Sequence, residues 1–352
     1  MKAARWYKAR DIRVENVEEP KVTAGHVKIE VAWAGICGSD LHEYAAGPVF
    51  ISANAPHPVT GELPPITMGH EFSGTVVEVG EGVTKVKPGD KVVVEPIICC
   101  GECAACRQGK YNVCRKLGFV GLSGRGGGFS EYVVAEERWV HKMPEGLSLE
   151  QGALVEPAAV ALHAVRQSKL KAGDKAAVFG TGPIGLLVIE ALKAAGASEI
   201  YAVELSKSRA AKALELGATA VVNPAETADV PGRIHELSGG GVDVAYETSG
   251  ALPVLQQAVE STKPCEGETI IVSLWEKDPV IKPNLMVLTE RSMKGIIAYR
   301  DIFPAVLELM TRGYFPADKL VTKKIKLDDI VPEGFEALVN DKEQIKILVS
   351  PK

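Results

Sequence analysis

KAAVFGTGPIGLLVIEALKAAG, residues 175–196, decides the architecture. KAAVF is short, apolar and reads as a buried strand; IGLLVIEALKAAG reads as a helix ending on Gly196. Between them Gly180-x-Gly182-x-x-Gly185 falls where a strand gives way to a helix. Gly180 permits the tight turn, Gly182 lets the backbone approach a pyrophosphate, and Gly185 lets helix and strand pack closely. The helix start then offers unpaired N–H groups and the positive end of its dipole to phosphate.

The flanking sequence keeps the same rhythm. EIYAVEL (199–205) is a second strand and SRAAKALELGA (208–218) a helix closed by Gly217. AVVNP, VDVAYETSG and ETIIVSLW supply further strands, so the pattern is that of a doubly wound parallel sheet. Glu204 ends the second strand, 24 residues after Gly180, the place of a carboxylate that accepts ribose hydroxyls. Such a carboxylate repels a 2′-phosphate, which favours NAD over NADP. Lys207 and Arg209 soften that preference, or are solvated helix residues. Gly180, Gly182, Pro183, Ile184, Gly185, Glu204 and Arg209 are the candidate cofactor contacts.

Upstream, residues 1–152 read as strands broken by Gly and Pro turns: HVKIEVAWAG, FSGTVVEVG and DKVVVEPI. GPVFISANAPHPVTGELPPI (47–66) carries five prolines and little periodicity, and is read as a long loop. After about 293 the pattern is mixed again, with a helix around 301–313 and a last strand QIKILVS. The expected boundaries are 1–152, 153–292 and 293–352, the last segment returning to the first domain.

Composition excludes several classes. The 352 residues carry a net charge of −5, which gives no basic footprint for nucleic acid. There is no 18-residue apolar run for a membrane span and no signal-peptide core at the start, so a cytoplasmic protein is expected. Five of the seven cysteines lie within the sixteen residues 99–114, which in a reducing compartment points to metal rather than disulfides. Cys100-x2-Cys103-x2-Cys106-x7-Cys114 offers four thiolates, enough for a closed structural zinc site, with Cys99 an extra neighbour.

A second set is scattered: Cys37 in GICGSDLH, His70 in MGHEFSG and Glu156 in LVEPAAVALH. Singly, Cys37 reads equally as a small buried hydrophobe, His70 as a core histidine and Glu156 as a helix cap before Pro157. Spacing alone does not unite them.

GICGSDLH, Gly69-His70-Glu71-x2-Gly74-x5-Gly80-x2-Val83, the four-cysteine lobe and GTGPIG stand here in the order found in zinc-containing medium-chain alcohol dehydrogenases. The chain resembles that family over essentially its whole length. The resemblance implies an α/β protein with a GroES-like, mostly-β catalytic domain plus a Rossmann domain of doubly wound parallel sheet. It implies two zinc ions and NAD, with Cys37, His70 and Glu156 on the catalytic zinc; Glu156 stands where simple alcohol dehydrogenases have a second cysteine. One thiolate and one carboxylate keep that site formally neutral. Glu71 matches an acid that neighbours the ligands or replaces one. Ser39 and His42 match a relay in which the hydroxyl takes the substrate proton and the histidine passes it to solvent.

The implied reaction is zinc-assisted, NAD-linked oxidation of a small secondary alcohol, with 2,3-butanediol and acetoin the expected pair. Polyol (sorbitol or xylitol) and L-threonine oxidation are the rivals within the chemistry, and a non-catalytic NAD- and zinc-binding protein the rival outside it. Phe50, Ile51 and Trp275 are candidates for a substrate wall. A homo-oligomer, dimer or tetramer, is expected, with no nucleic-acid or membrane partner.

Overall fold

The computed structural model describes residues 1–341 and 343–352. The chain divides into two compact units, residues 1–156 with 303–352, and residues 157–302.

The second unit is built on six parallel strands. Their order is Ala220–Val222, Glu199–Val203, Lys175–Phe179, Val244–Glu247, Glu268–Ile271 and Ser292–Gly295. The order reverses between Lys175–Phe179 and Val244–Glu247, the topological switch point where such sheets bind ligands beyond their carboxyl ends. Lys175–Phe179 is central because it is apolar on both faces: its last four residues are all buried. The helix Pro183–Ala194 follows, buried from Gly185 to Leu192, which is why its sequence is apolar almost all round. Lys207–Leu216 is capped by the Ser206 side chain at its start and by a left-handed Gly217 (φ 113°) at its end, matching the reading of that helix.

The first unit holds a mixed sheet. Its order is Val140–Lys142, Lys91–Val94, Glu71–Val79, His26–Gly35, Lys346–Ser350 and Val321–Lys326, with Tyr132–Glu136 also paired to His26–Gly35. A smaller sheet joins Asp11–Asn16, Lys2–Lys8 and Ile66–Thr67. Val27, Ile29, Val31, Phe72, Phe129, Phe335 and Ile347 belong to one core cluster. The last strand pairs antiparallel with the third, Leu348 opposite Gly35 and Val349 opposite Ala34. Residues more than 300 positions apart are thereby fixed side by side.

The proline-rich loop of 47–66 is organised by one acid. Glu43 is fully buried, and its carboxylate accepts the N–H groups of Val49 and Ile51 at 3.1 and 2.9 Å and that of Phe50. Farther on, the Thr60 hydroxyl donates to Ser123 O at 2.6 Å and Arg125 N–H to Glu62 at 2.7 Å. The loop thus combines a local turn, in which His57 N–H donates to Glu62 O at 3.0 Å and Gly61 N–H to His57 O at 2.8 Å, with bonds to the body of the unit.

Glu43→Ala would leave three N–H groups without their acceptor, at a cost of about 2–4 kcal/mol. A lowered calorimetric unfolding temperature and new proteolytic cleavage within 47–66 are expected. An unchanged unfolding temperature would show that the loop is held some other way.

Candidate active site and metal centres

Cys37 is the N-cap of the helix Gly38–Ala46, which carries Ser39, Asp40, His42 and Glu43. Asp40 closes the capping box by accepting Cys37 N–H at 3.0 Å, so one buried carboxylate fixes the backbone under the thiol. Glu71 opens the adjoining strand Glu71–Val79, with His70 just before it, and Glu71 pairs with Gly35 across the ladder. Ligand atoms of Cys37, His70 and Glu71 all lie within 4.8 Å of one another.

His70 and Asp40 are both buried, with Nδ1 and Oδ1 3.5 Å apart; this is too long for a formed hydrogen bond, and neither atom has another partner. Burial disfavours a charged imidazole, yet the charges of Asp40 and Cys37 outweigh it and hold the His70 pKa well above the usual range. Burial first, then the charge of Glu71, pushes the Cys37 thiol up. The cluster by itself therefore retains protons where a cation would sit. A divalent metal inverts both preferences, because thiolate and neutral imidazole are the ligating forms. A half-buried thiol converging with a buried imidazole and carboxylate, with orphaned polar atoms beside them, fits such an ion.

Glu71 is not free to act alone. The Lys346 ammonium meets its two oxygens at 2.9 and 2.7 Å and also donates to Ile36 O at 3.1 Å. Lys346 is 3% exposed and Glu71 0%. Burial disfavours the charged ammonium, but the charges of Glu71 and Cys37 outweigh it, so the Lys346 pKa stands above the ordinary value. Gly35 makes the space: a Cβ there would fall 2.2 Å from Glu71 Oε2. The sequence reading missed Lys346. Its one signal is a lone cation among Ile345, Ile347, Leu348 and Val349 in an otherwise apolar last strand.

Glu156 lies in the first turn of the helix Val155–Gln167, one residue inside it rather than capping it, and is buried at 6%. Its charge is felt at Lys346. It is not one of the three groups that converge within 4.8 Å. Ser39 Oγ is 3.2 Å from His70 Nε2. His42 is exposed, three positions along the same helix face. Of the suggested wall, Ile51 is a core residue at 3% exposure and Phe50 packs against that core. Trp275 belongs to the other unit.

The cysteine lobe forms around the helix Ala104–Arg107, capped by Cys103. The Sγ atoms of Cys103 and Cys106 are 3.5 Å apart, those of Cys100 and Cys114 3.5 Å, and those of Cys100 and Cys106 4.0 Å. A tetrahedral zinc with Zn–S of about 2.3 Å requires sulfur separations of about 3.8 Å. All seven cysteines are unpaired by disulfides, and Cys99 stands outside the foursome. Main-chain N–H groups of Cys106 and Arg115 lower Cys103 to about 6, favouring the thiolate. The lobe is anchored by Tyr111, whose hydroxyl donates to the buried Glu95 at 2.7 Å.

In the second unit the glycine turn is as tight as its sequence demands. Gly180 has φ +90°, and a Cβ on Gly185 would fall 1.9 Å from Gly180 O. A Cβ on Gly182 would meet nothing closer than Arg209 Nη1 at 3.9 Å, which leaves room for a phosphate. Pro183 is N1 of the helix, where its missing N–H costs nothing. Glu204 reaches back to this turn, accepting from Thr181 N–H and hydroxyl at 2.7 and 2.9 Å.

Cys103→Ser would remove one thiolate of four. Loss of one zinc equivalent and a lower unfolding temperature are expected, with substrate preference unchanged in the protein that remains folded. Metal analysis finding one zinc or none in fully active parent protein would contradict the four-thiolate site.

The two halves of this chemistry coincide with two known domains. Residues 23–145 match the alcohol dehydrogenase GroES-like domain and residues 183–312 the zinc-binding dehydrogenase domain. The chain is 64% identical over 351 residues to an (R,R)-butanediol dehydrogenase of Bacillus subtilis, covering 100% of both sequences. It is 44% identical to the (R,R)-butanediol dehydrogenase of Neisseria gonorrhoeae, covering 100% of this chain and 99% of that one. The crystal structure of 2R,3R-butanediol dehydrogenase from Bacillus subtilis superposes with a TM-score of 0.95 at 63% identity, covering 100% and 99% of the two chains. The converging thiol and imidazole, the thiolate lobe and the glycine turn thus sit on a fold shared from end to end, and the chain belongs to the zinc-containing medium-chain alcohol dehydrogenase family.

Proposed function

We propose that this protein is an NAD-linked, zinc-dependent dehydrogenase that interconverts (R,R)-2,3-butanediol and acetoin. The observation that carries the reading is end-to-end identity of 64% with a relative of that activity, joined to the convergence of Cys37 and His70. The unit of residues 1–156 with 303–352 would bear both zinc sites, and residues 157–302 would bind NAD. No described helix is long and apolar enough to cross a membrane. A cytoplasmic homo-oligomer is the proposed working form.

Cys37, His70 and Glu156 would hold the catalytic zinc, and Cys100, Cys103, Cys106 and Cys114 the structural one. Zinc supplies Lewis acidity at the alcohol oxygen, and NAD accepts the hydride. The protein's own part is to orient and to move a proton. Asp40 fixes Cys37 through its backbone N–H, and its Oδ1 lies 3.5 Å from His70 Nδ1. Ser39 would accept the substrate hydroxyl's proton and His42, in solvent, would release it. Gly180, Gly182, Pro183, Ile184 and Gly185 would cradle the pyrophosphate, with Glu204 at the adenosine ribose and Arg209 beside the turn.

Charge favours Glu156 over Glu71 as the third ligand. Lys346 already neutralises Glu71, whereas the thiolate and Glu156 together neutralise a divalent ion. A second reading, favoured by the 4.8 Å cluster, makes Glu71 the third ligand. Glu156→Ala is expected to lose catalytic zinc and turnover together. Glu71→Ala should keep the zinc and lose activity within the ~10–100-fold of a residue that only supports ligands. Glu156→Cys should hold zinc and retain turnover. The opposite result, with zinc lost from Glu71→Ala alone, reverses the assignment.

The substrate is tested by NADH absorbance over (R,R)-, (S,S)- and meso-2,3-butanediol, sorbitol, threonine and 2-propanol. The highest kcat/KM is expected for the (R,R) diol. A preference for sorbitol or threonine would replace the diol reading, and no turnover of any would support the non-catalytic one.

A further inference from the structure

Thr181 is the one residue between Gly180 and Gly182, and its side chain is fully buried. It points to Glu204. The Glu204 carboxylate takes four donors: Thr181 N–H at 2.7 Å and Thr181 hydroxyl at 2.9 Å on Oε2, and Leu205 N–H at 2.9 Å and Ser206 N–H at 2.8 Å on Oε1. That fills about the four lone-pair positions a carboxylate has. Three of the donors are main-chain groups that any residue would supply. Only the Thr181 hydroxyl depends on the side chain chosen here.

We propose that Thr181 is a positioning residue for cofactor selectivity: its hydroxyl tethers Glu204 to the glycine turn and aims the carboxylate at the adenosine ribose. The proposal rests on the reading of Glu204 as the ribose acceptor. A ribose hydroxyl would therefore replace one of the two main-chain donors on Oε1, and a carboxylate already held at Oε2 loses little further freedom in that exchange. The same fixed charge stands where a 2′-phosphate would have to enter, so NADP is repelled by a group that cannot swing aside. Without the hydroxyl, Oε2 is held by one N–H and the side chain gains rotamers. Affinity for NAD then falls and rejection of NADP weakens. The competing account is a plain strap joining the ends of strands Lys175–Phe179 and Glu199–Val203. A strap would lower stability and weaken both cofactors alike.

The test measures NADH and NADPH dissociation constants by nucleotide fluorescence on zinc-replete protein, with unfolding temperature alongside. Thr181→Val keeps the shape and removes the hydroxyl; Thr181→Ala serves if the valine crowds the turn. The NADH constant is expected to rise about five- to tenfold, the size of an ordinary hydrogen bond's net contribution. NADPH should change by less than about twofold, and Thr181→Ser should restore the parent ratio. Glu204→Ser is run in parallel. A ratio that collapses in Glu204→Ser but stays at the parent value in both Thr181 variants overturns the role of Thr181 alone. A ratio unmoved by Glu204→Ser overturns the ribose reading itself.

Discussion

The contact on which the first unit turns is the ion pair between Lys346 and Glu71, sealed from water at 3% and 0% exposure. An isolated charge in such a place would cost several kcal/mol, so each partner is tolerable only because the other is there. The ammonium spends its donors on both carboxylate oxygens and on Ile36 O, the residue just before Cys37. One cation from the last strand therefore binds the residue beside His70 and the backbone beside Cys37. It also settles the charge of the site. With Glu71 matched by Lys346, a Cys37 thiolate and Glu156 together would neutralise a divalent ion on the proposed ligand set, and Glu71 could stand close without making that centre anionic.

Acids recur in a second role, as collectors of loop N–H groups. Glu43 gathers those of Val49, Phe50 and Ile51. Glu204 gathers those of Thr181, Leu205 and Ser206. Glu247, buried at the end of its strand, accepts from Ser249 and Gly250 at 2.9 and 3.0 Å and from the hydroxyls of Ser249 and Ser273. Where the chain leaves a strand or helix, it has no ladder to satisfy its donors. A carboxylate answers several at once and fixes the loop's shape. Two of these acids flank the glycine turn in the parallel sheet, at the carboxyl ends of the strands on either side of Lys175–Phe179.

Much of this was legible in the chain because its causes are local. A glycine at φ +90°, followed by a helix start so close that a Cβ on Gly185 would fall 1.9 Å from Gly180 O, leaves an obligatory mark on residues 180–185. Four thiolates of one zinc site come from fifteen consecutive residues, so their spacing is itself the geometry. The helix ended by Gly217 and the buried strand KAAVF were fixed by capping and by continuous apolar character.

What the sequence could not decide was which acid stands by Cys37 and His70, and what balances its charge. Glu71 and Glu156 are both acids beside plausible motifs, and only the pairing of Glu71 with Gly35 across the ladder brings one of them within 4.8 Å of the thiol and imidazole. Its counter-ion is 275 positions away, delivered by the register that sets Leu348 against Gly35. Turns, caps and thiolate spacing are short-range and written residue by residue. A buried charge pair between distant strands exists only once the sheet has closed, because its energy comes from leaving water together.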